Sequence, residues 1–196
     1  MTKGITLIET VVSVAIILVV MAIVSPVLAS AKRRSQITSS IGRLRQLHMA
    51  TMIYQGDHEP VAAYGTATQM GLPTLEYVAR TRLGFTDRKF WSSPCGWNPN
   101  VTPWPSASSY EYRPDDDEEF AEYARTYGDK LLLFKDLHCD DTWKPIRAIH
   151  VSHRGLGVLL NGKVVNKYAQ GDVYADNWWS EPDIPQPSSP FEEDMP

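Results

Sequence analysis

Hydrophobic positions divide this chain into regimes with different periods. From Thr10 to Ala31 the residues are uncharged and apolar around the whole helical circumference. As a helix this run of about 22 residues would cover about 33 Å, close to the hydrocarbon thickness of a bilayer. Beyond it Ile37, Ile41, Leu44, Leu47 and Thr51 or Met52 recur at steps of three and four, with Arg43, Arg45 and Gln46 between them. That pattern predicts the same helix continuing with a single apolar stripe, so the rod from Thr6 to Tyr54 passes from one solvent to another. Gly56 is the expected C-cap and Asp57–Pro60 a turn. Pro26 lies within the rod and predicts a kink or a locally melted turn over 22–26, because it lacks a backbone donor and crowds the carbonyl four residues before it.

Periodicity shortens after Pro60. Leu75–Leu83 reads as a short helix with Thr74 as N-cap and Gly84 as stop, and Glu118–Tyr127 as a further helical turn or two. Gly65, Gly71, Pro94, Gly96, Pro99, Pro103, Pro105 and Ser106–Ser109 predict ordered loops, fastened by Trp91, Trp97, Trp104 and Tyr110. Strands are expected at Lys130–Phe134, Arg147–Val151, Gly157–Leu160 and Lys163–Tyr168, with Asn161-Gly162 as a type I′ hairpin turn. An antiparallel sheet of three to five strands laid on the amphipathic half of the long helix is the economical α+β arrangement. Trp178-Trp179 is the last expected anchor, and 181–196 reads as an acidic, Pro-rich tail.

Charge sharpens this division. In the 196-residue chain, positions 1–50 hold six Lys/Arg against Glu9 alone, whereas 51–196 hold thirteen against twenty-two Asp/Glu. An acidic domain carries no basic footprint for nucleic acid, and no such partner is expected. Ala29 and Ala31 offer a secretory cleavage site, but the apolar run is longer than a usual signal core and would hold Glu9 within it. Lys32-Arg33-Arg34 after the span, against Lys3 before it, would by charge alone place the following domain in the cytoplasm.

The junction Gly4-Ile5-Thr6-Leu7-Ile8-Glu9 carries the most specific signal. A lone carboxylate at the mouth of a membrane-length helix is costly and calls for a reason. The junction resembles the cleavage and methylation signal of type IV prepilins and type II secretion pseudopilins. The resemblance implies a leader at 1–4, cleavage after Gly4, N-methylation of Ile5, and a carboxylate at Glu9 that pairs with a terminal ammonium one helical turn away. Pro26, the twenty-second residue counted from Ile5, matches a proline common in that family. Arg43–Leu47, Met52–Tyr54, Asp57–Pro60, Pro94-Cys95 and Ser108–Tyr112 are similar to a group of bacterial pilin-like secreted proteins. That group closes with His, nine residues and Asp-Gly; here His153 and Asn161-Gly162 depart from it in spacing and in the acid.

Chemistry elsewhere is sparse. Cys95 and Cys139 are the only cysteines, and an exported pair favours a disulfide, which in the loop-entropy model contributes up to about 4 kcal/mol. His138, Cys139, His150 and His153 match no zinc spacing. Asp115–Glu119 resembles a solvated acidic loop more than a calcium loop, since the EF-hand pattern is missing. There is no nucleophile elbow or phosphate loop, and Cys139 beside His138 is no dyad, because sequence neighbours in a strand face opposite ways. His153 reads as a turn or core histidine. No enzyme activity, metal or cofactor is expected.

The sequence therefore implies a pilin-like α+β subunit: leader 1–4, transmembrane and filament-core helix 5–31, globular domain 32–180 and tail 181–196. By resemblance its partners are identical or related pilin subunits in a helical filament, a prepilin peptidase, the inner-membrane assembly platform, and membrane lipid before assembly. It would reside in the inner membrane as precursor and in a periplasmic or extracellular filament afterwards. The rival reading is a single-pass anchored extracellular domain that binds a glycan or other ligand through Trp97, Trp104 and Trp178.

Overall fold

The computed structural model describes residues 7–74, 82–84, 90–96, 110–140 and 149–179. One helix, α1 (Leu7–Asp57), spans 51 residues, about 76 Å at the helical rise. It runs unbroken through Pro26, so the melted turn expected at 22–26 does not form. Proline removes one rung, and the rungs on either side continue the ladder. The helix also passes the expected cap at Gly56. His58 closes the last turn instead: its amide bonds Gln55 O at 3.2 Å, its Nδ1 meets Tyr54 O at 2.8 Å, and its ring stacks on Tyr54 at 3.7 Å.

The sheet is a four-stranded antiparallel meander in the order β1 (Tyr110–Tyr112), β2 (Leu132–Asp136), β3 (Ser152–Leu159) and β4 (Val164–Gln170). Helix α2 (Glu118–Tyr127) lies between β1 and β2 in the chain, N-capped by Asp117, whose carboxylate accepts from Phe120 N at 2.7 Å. A short helix α3 (Asp176–Trp179) follows β4. The architecture is thus a long N-terminal helix packed on a small antiparallel sheet, as the sequence predicts.

Each face of the sheet is covered by a different element. Leu44 and Leu47 of α1 join Tyr110, Phe134, Leu156, Val158 and the α2 side chains Phe120, Tyr123 and Tyr127 in the main core. On the other face Leu132, Leu137 and Leu159 meet Val173, Trp178 and Trp179. The double tryptophan is an anchor as expected, and two glycines make room for it. A Cβ at Gly155 would stand 2.5 Å from Trp179 Cη2, and one at Gly157 2.9 Å from Trp179 Cζ3.

Those glycines explain a misread boundary. Strand β3 begins at Ser152 rather than Gly157, and the described part of the expected strand at Arg147–Val151 (149–151) is turn and bend. Glycine is depleted in strands because it offers nothing to pack; here the packing comes from the tryptophans above. The β3–β4 connection also differs from the expected type I′ turn, which needs positive φ at both central residues. Gly162 has φ +81° but Asn161 does not share the region. Gly162 N bonds Leu159 O and Leu159 N bonds Lys163 O, the pattern of a longer loop with glycine in the left-handed position. A Cβ there would sit 3.0 Å from His48 Cε1, and His48 Nε2 meets Leu160 O at 2.9 Å, so the hairpin tip rests on α1. Most of the expected helix Leu75–Leu83, the residues Trp97 and Trp104, and the tail 181–196 lie outside the described residues.

Candidate functional site

Of the residues assigned to processing and assembly, Gly4 and Ile5 lie outside the described part. Glu9 sits in the first turn of α1, where its carbonyl accepts from Ser13 Oγ at 2.7 Å. Pro26 is nearly five turns further along, so helix geometry separates these two by about 25 Å. Residues 7–32 are exposed throughout, and within this helix lies an apolar window with mean hydropathy 2.9. By length and composition the helix suffices to cross a membrane, the property shared by a membrane anchor and a signal sequence.

Packing begins with Arg33, whose guanidinium donates to Cys139 O at 2.6 Å. Further on, Ser40, Leu44, Leu47 and Thr51 are fully buried, three- and four-residue steps that aim one stripe at the sheet. Ser40 is the unexpected member. Its hydroxyl donates to Asp136 Oδ2 at 2.6 Å and accepts from the Tyr110 phenol at 3.1 Å. Asp136, fully buried at the end of β2, also accepts from Ser93 Oγ at 2.8 Å and from His138 N at 2.9 Å.

The electrostatics follow from burial. Desolvation pushes the Asp136 carboxyl above the usual carboxylate range, opposed by the donors Ser40, Ser93 and His138 N. Desolvation likewise lowers His138, against the pull of Asp136. The Tyr110 phenol is raised by burial and then by the Asp136 charge. Cys95 and Cys139 come together at disulfide distance, Cα to Cα 5.2 Å, across a separation of 44.

Other chemistry-bearing residues are engaged structurally. His153 is buried on β3 with Nδ1 2.6 Å from Asp140 Oδ2, and Asp140 Oδ1 accepts Arg154 N at 3.1 Å; this is a core histidine holding the start of a strand. In the acidic loop, Asp116 accepts from Thr68 N at 2.7 Å, Asp115 Oδ1 from Asp116 N at 2.8 Å, and Asp117 caps α2. Partial burial raises the Asp116 carboxyl, but the hydrogen bonds from Thr68 and Thr66 outweigh it and hold it low. No group of His, Cys, Asp and Glu able to hold a metal occurs among the described residues. Trp178 is 5% exposed beneath the Lys167 ammonium, so its ring is not presented to a ligand as the rival reading requires.

Sequence reasoning missed Ser40, Ser93, Asp136 and Asp140. A usable signal did exist: Asp136 ends the run Leu131–Asp136 in which only Lys135 is otherwise polar, and Ser40 stands one turn before Leu44 on the stripe. Comparison with known proteins finds no matching family model, no matching curated protein and no matching solved structure.

Proposed function

We propose that this chain is a structural subunit of a type IV pilus-like or type II secretion pseudopilus-like filament, processed after Gly4 and assembled through the first half of α1. The observation that carries the reading is the conjunction of the Gly4–Glu9 junction with a single unbroken helix, exposed over 7–32 and buried against a sheet over 40–51. A plain anchor would need only the first part and a core helix only the second. An apolar half exposed over 7–32 suits a helix that rests in lipid and then packs against copies of itself. Glu9 near the entrance would pair with the terminal ammonium of Ile5 in its own or a neighbouring subunit, offsetting the desolvation of both charges. The globular domain would lie outside the cytoplasm. There Arg33 serves the fold through its hydrogen bond to Cys139 O.

Mass spectrometry of protein from a host with a prepilin peptidase tests this directly. The expected mature terminus is Ile5, N-methylated; an intact Met1, or a terminus just after Ala31, overturns the reading. Glu9→Ala should leave membrane insertion intact while reducing incorporation into sheared filaments at least several-fold, and an unchanged yield would reduce Glu9 to an interfacial residue.

A further inference from the structure

Two segments outside the β-ladder meet one stretch of α1, and a different arginine of the helix holds each. Arg43 donates to Ser92 O and, at 3.4 Å, to Phe90 O, which ties down 90–96. Arg33 donates to Cys139 O, which ties down 137–140. Between the arginines Ser40 binds Asp136, and Asp136 takes a second hydroxyl from Ser93, whose Oγ also accepts Cys95 N at 3.1 Å. The Cys95–Cys139 bond joins the two segments to each other. It is therefore the covalent link in a ring whose other links are hydrogen bonds to residues 33–43 of the helix.

The two sulfurs are not equivalent. Cys139 is fully buried, whereas Cys95 is half-buried at the edge of the core, so the Cys95 side is the more open of the two to a thiol reagent. We propose that Cys95–Cys139 is a redox-sensitive latch that fixes the part of α1 just past the apolar run to the globular domain. The reductant is a dithiol. Its thiolate attacks Cys95 Sγ, the sulfur–sulfur bond breaks, and Cys139 leaves as a thiolate that takes up a proton from solvent. The second thiol then displaces Cys95 from the mixed disulfide, so the dithiol ends as a disulfide and two electrons rest on the two cysteines. In the bonded state Cys139 Sγ lies 3.6 Å from Asp136 Oδ2 and 3.8 Å from Ser93 Oγ, partners that a thiol can use once it is freed. Reduction thus removes the covalent constraint while Ser40 Oγ and His138 N still donate to Asp136, which confines the opening to 90–96 and the groups it holds and makes it reversible rather than a collapse of the core.

The consequence is positional. With the latch closed, the two segments that bind Arg33 and Arg43 are tied to each other; with it open, the segment 90–96 detaches together with its acceptors for Arg43, and the helix between Ala31 and Leu44 becomes a hinge. The test is hydrogen–deuterium exchange on the full chain in detergent micelles, with and without dithiothreitol. Amides of 33–43 and 90–96 should exchange at least about tenfold faster after reduction, those of the β3–β4 hairpin should be unchanged, and reoxidation should restore protection. Unaltered exchange over 33–43 overturns the proposal. So does a loss spread equally over β3 and β4, which would mark an ordinary stabilising bridge, or protection that fails to return. Cys95→Ser under oxidising conditions should reproduce the reduced pattern, and protection equal to that of the oxidised wild type would likewise overturn it.

Discussion

The two halves of α1 share one helical geometry and part company in what surrounds them. Leu18 is 64% exposed and Leu44 is 0% exposed, though both are leucines on the same helix. Residues 7–32 are exposed, whereas Ser40, Leu44, Leu47 and Thr51 are buried on the side of α1 that meets β2 and β3. The difference teaches that an apolar residue on a helix states a requirement and not a location. The first half expresses that requirement on every side, so no one-sided sheet could satisfy it; the second expresses it on a single stripe, and the sheet does. The stripe is selective in another way as well. It admits Ser40 because Asp136 waits opposite, and a polar pair buried with all its donors used costs little compared with either member alone.

The largest effect should come from placing a charge in each half. Leu44→Asp puts an unpaired carboxylate in the main core and should cost about 3–5 kcal/mol, enough to unfold the domain. Leu18→Asp should leave the domain's thermal transition where it was while impairing membrane insertion. Circular dichroism melts of both variants in micelles read the contrast directly, and equal effects would erase the distinction between the halves.

A smaller effect sharpens the comparison from the far side of the sheet. Gly155→Val introduces a residue with better strand propensity, yet its Cβ would meet Trp179 Cη2 at 2.5 Å. Overpacking of this kind should cost about 1–3 kcal/mol and release tryptophan fluorescence to water, with amide protection at Leu44 and Leu47 preserved. A gain in stability would mean that Trp178 and Trp179 do not close that face.

The subtlest measurement concerns the seam and reads a shape rather than a shift. Burial raises the folded carboxyl of Asp136 above its unfolded value. The folded state then holds the proton more tightly, and the associated stability is fully present below the unfolded value near 3.9. It is lost as pH climbs from there through the raised folded value, since the unfolded chain binds fewer protons over that window. Denaturant midpoints of Asp136→Asn should lack this decline. An identical pH profile in variant and wild type would show that Asp136 is not the group responsible.

Much of this was legible because it is local. The periods of the long helix, the helical stretch Glu118–Tyr127, the β4 segment and the Trp178-Trp179 anchor each announce themselves within a few residues. What escaped reading depends on partners far away in sequence. Nothing near Ser40 says that Asp136, 96 positions on, will meet it. Nothing within Gly155–Gly157 says that tryptophans more than twenty residues later will fill the space their missing side chains leave. The hairpin was read correctly as a hairpin, but Asn-Gly is compatible with more than one loop, and the contact of Gly162 with His48 belongs to tertiary structure. The Cys95–Cys139 pairing followed from there being only two cysteines; its neighbours Asp136 and Ser93 did not follow from anything local.

The separation between Ser40 and Asp136 also sets an order of events during biosynthesis. Residues 40–51 leave the ribosome early, while the strands that cover them, β2 and β3, arrive only with 132–159. The stripe therefore stays uncovered for roughly a hundred residues of chain growth, some five to twenty seconds at ordinary elongation rates of about 5–20 residues per second. Hairpin β3–β4 closes at once when made, because its ends are neighbours, whereas joining it to α1 spans most of the chain and comes last. A nascent chain of this design carries a sticky helix face through most of its own synthesis. It would place its strongest demand on holdase chaperones before the sheet exists, and mutations that slow β2 would aggregate through α1.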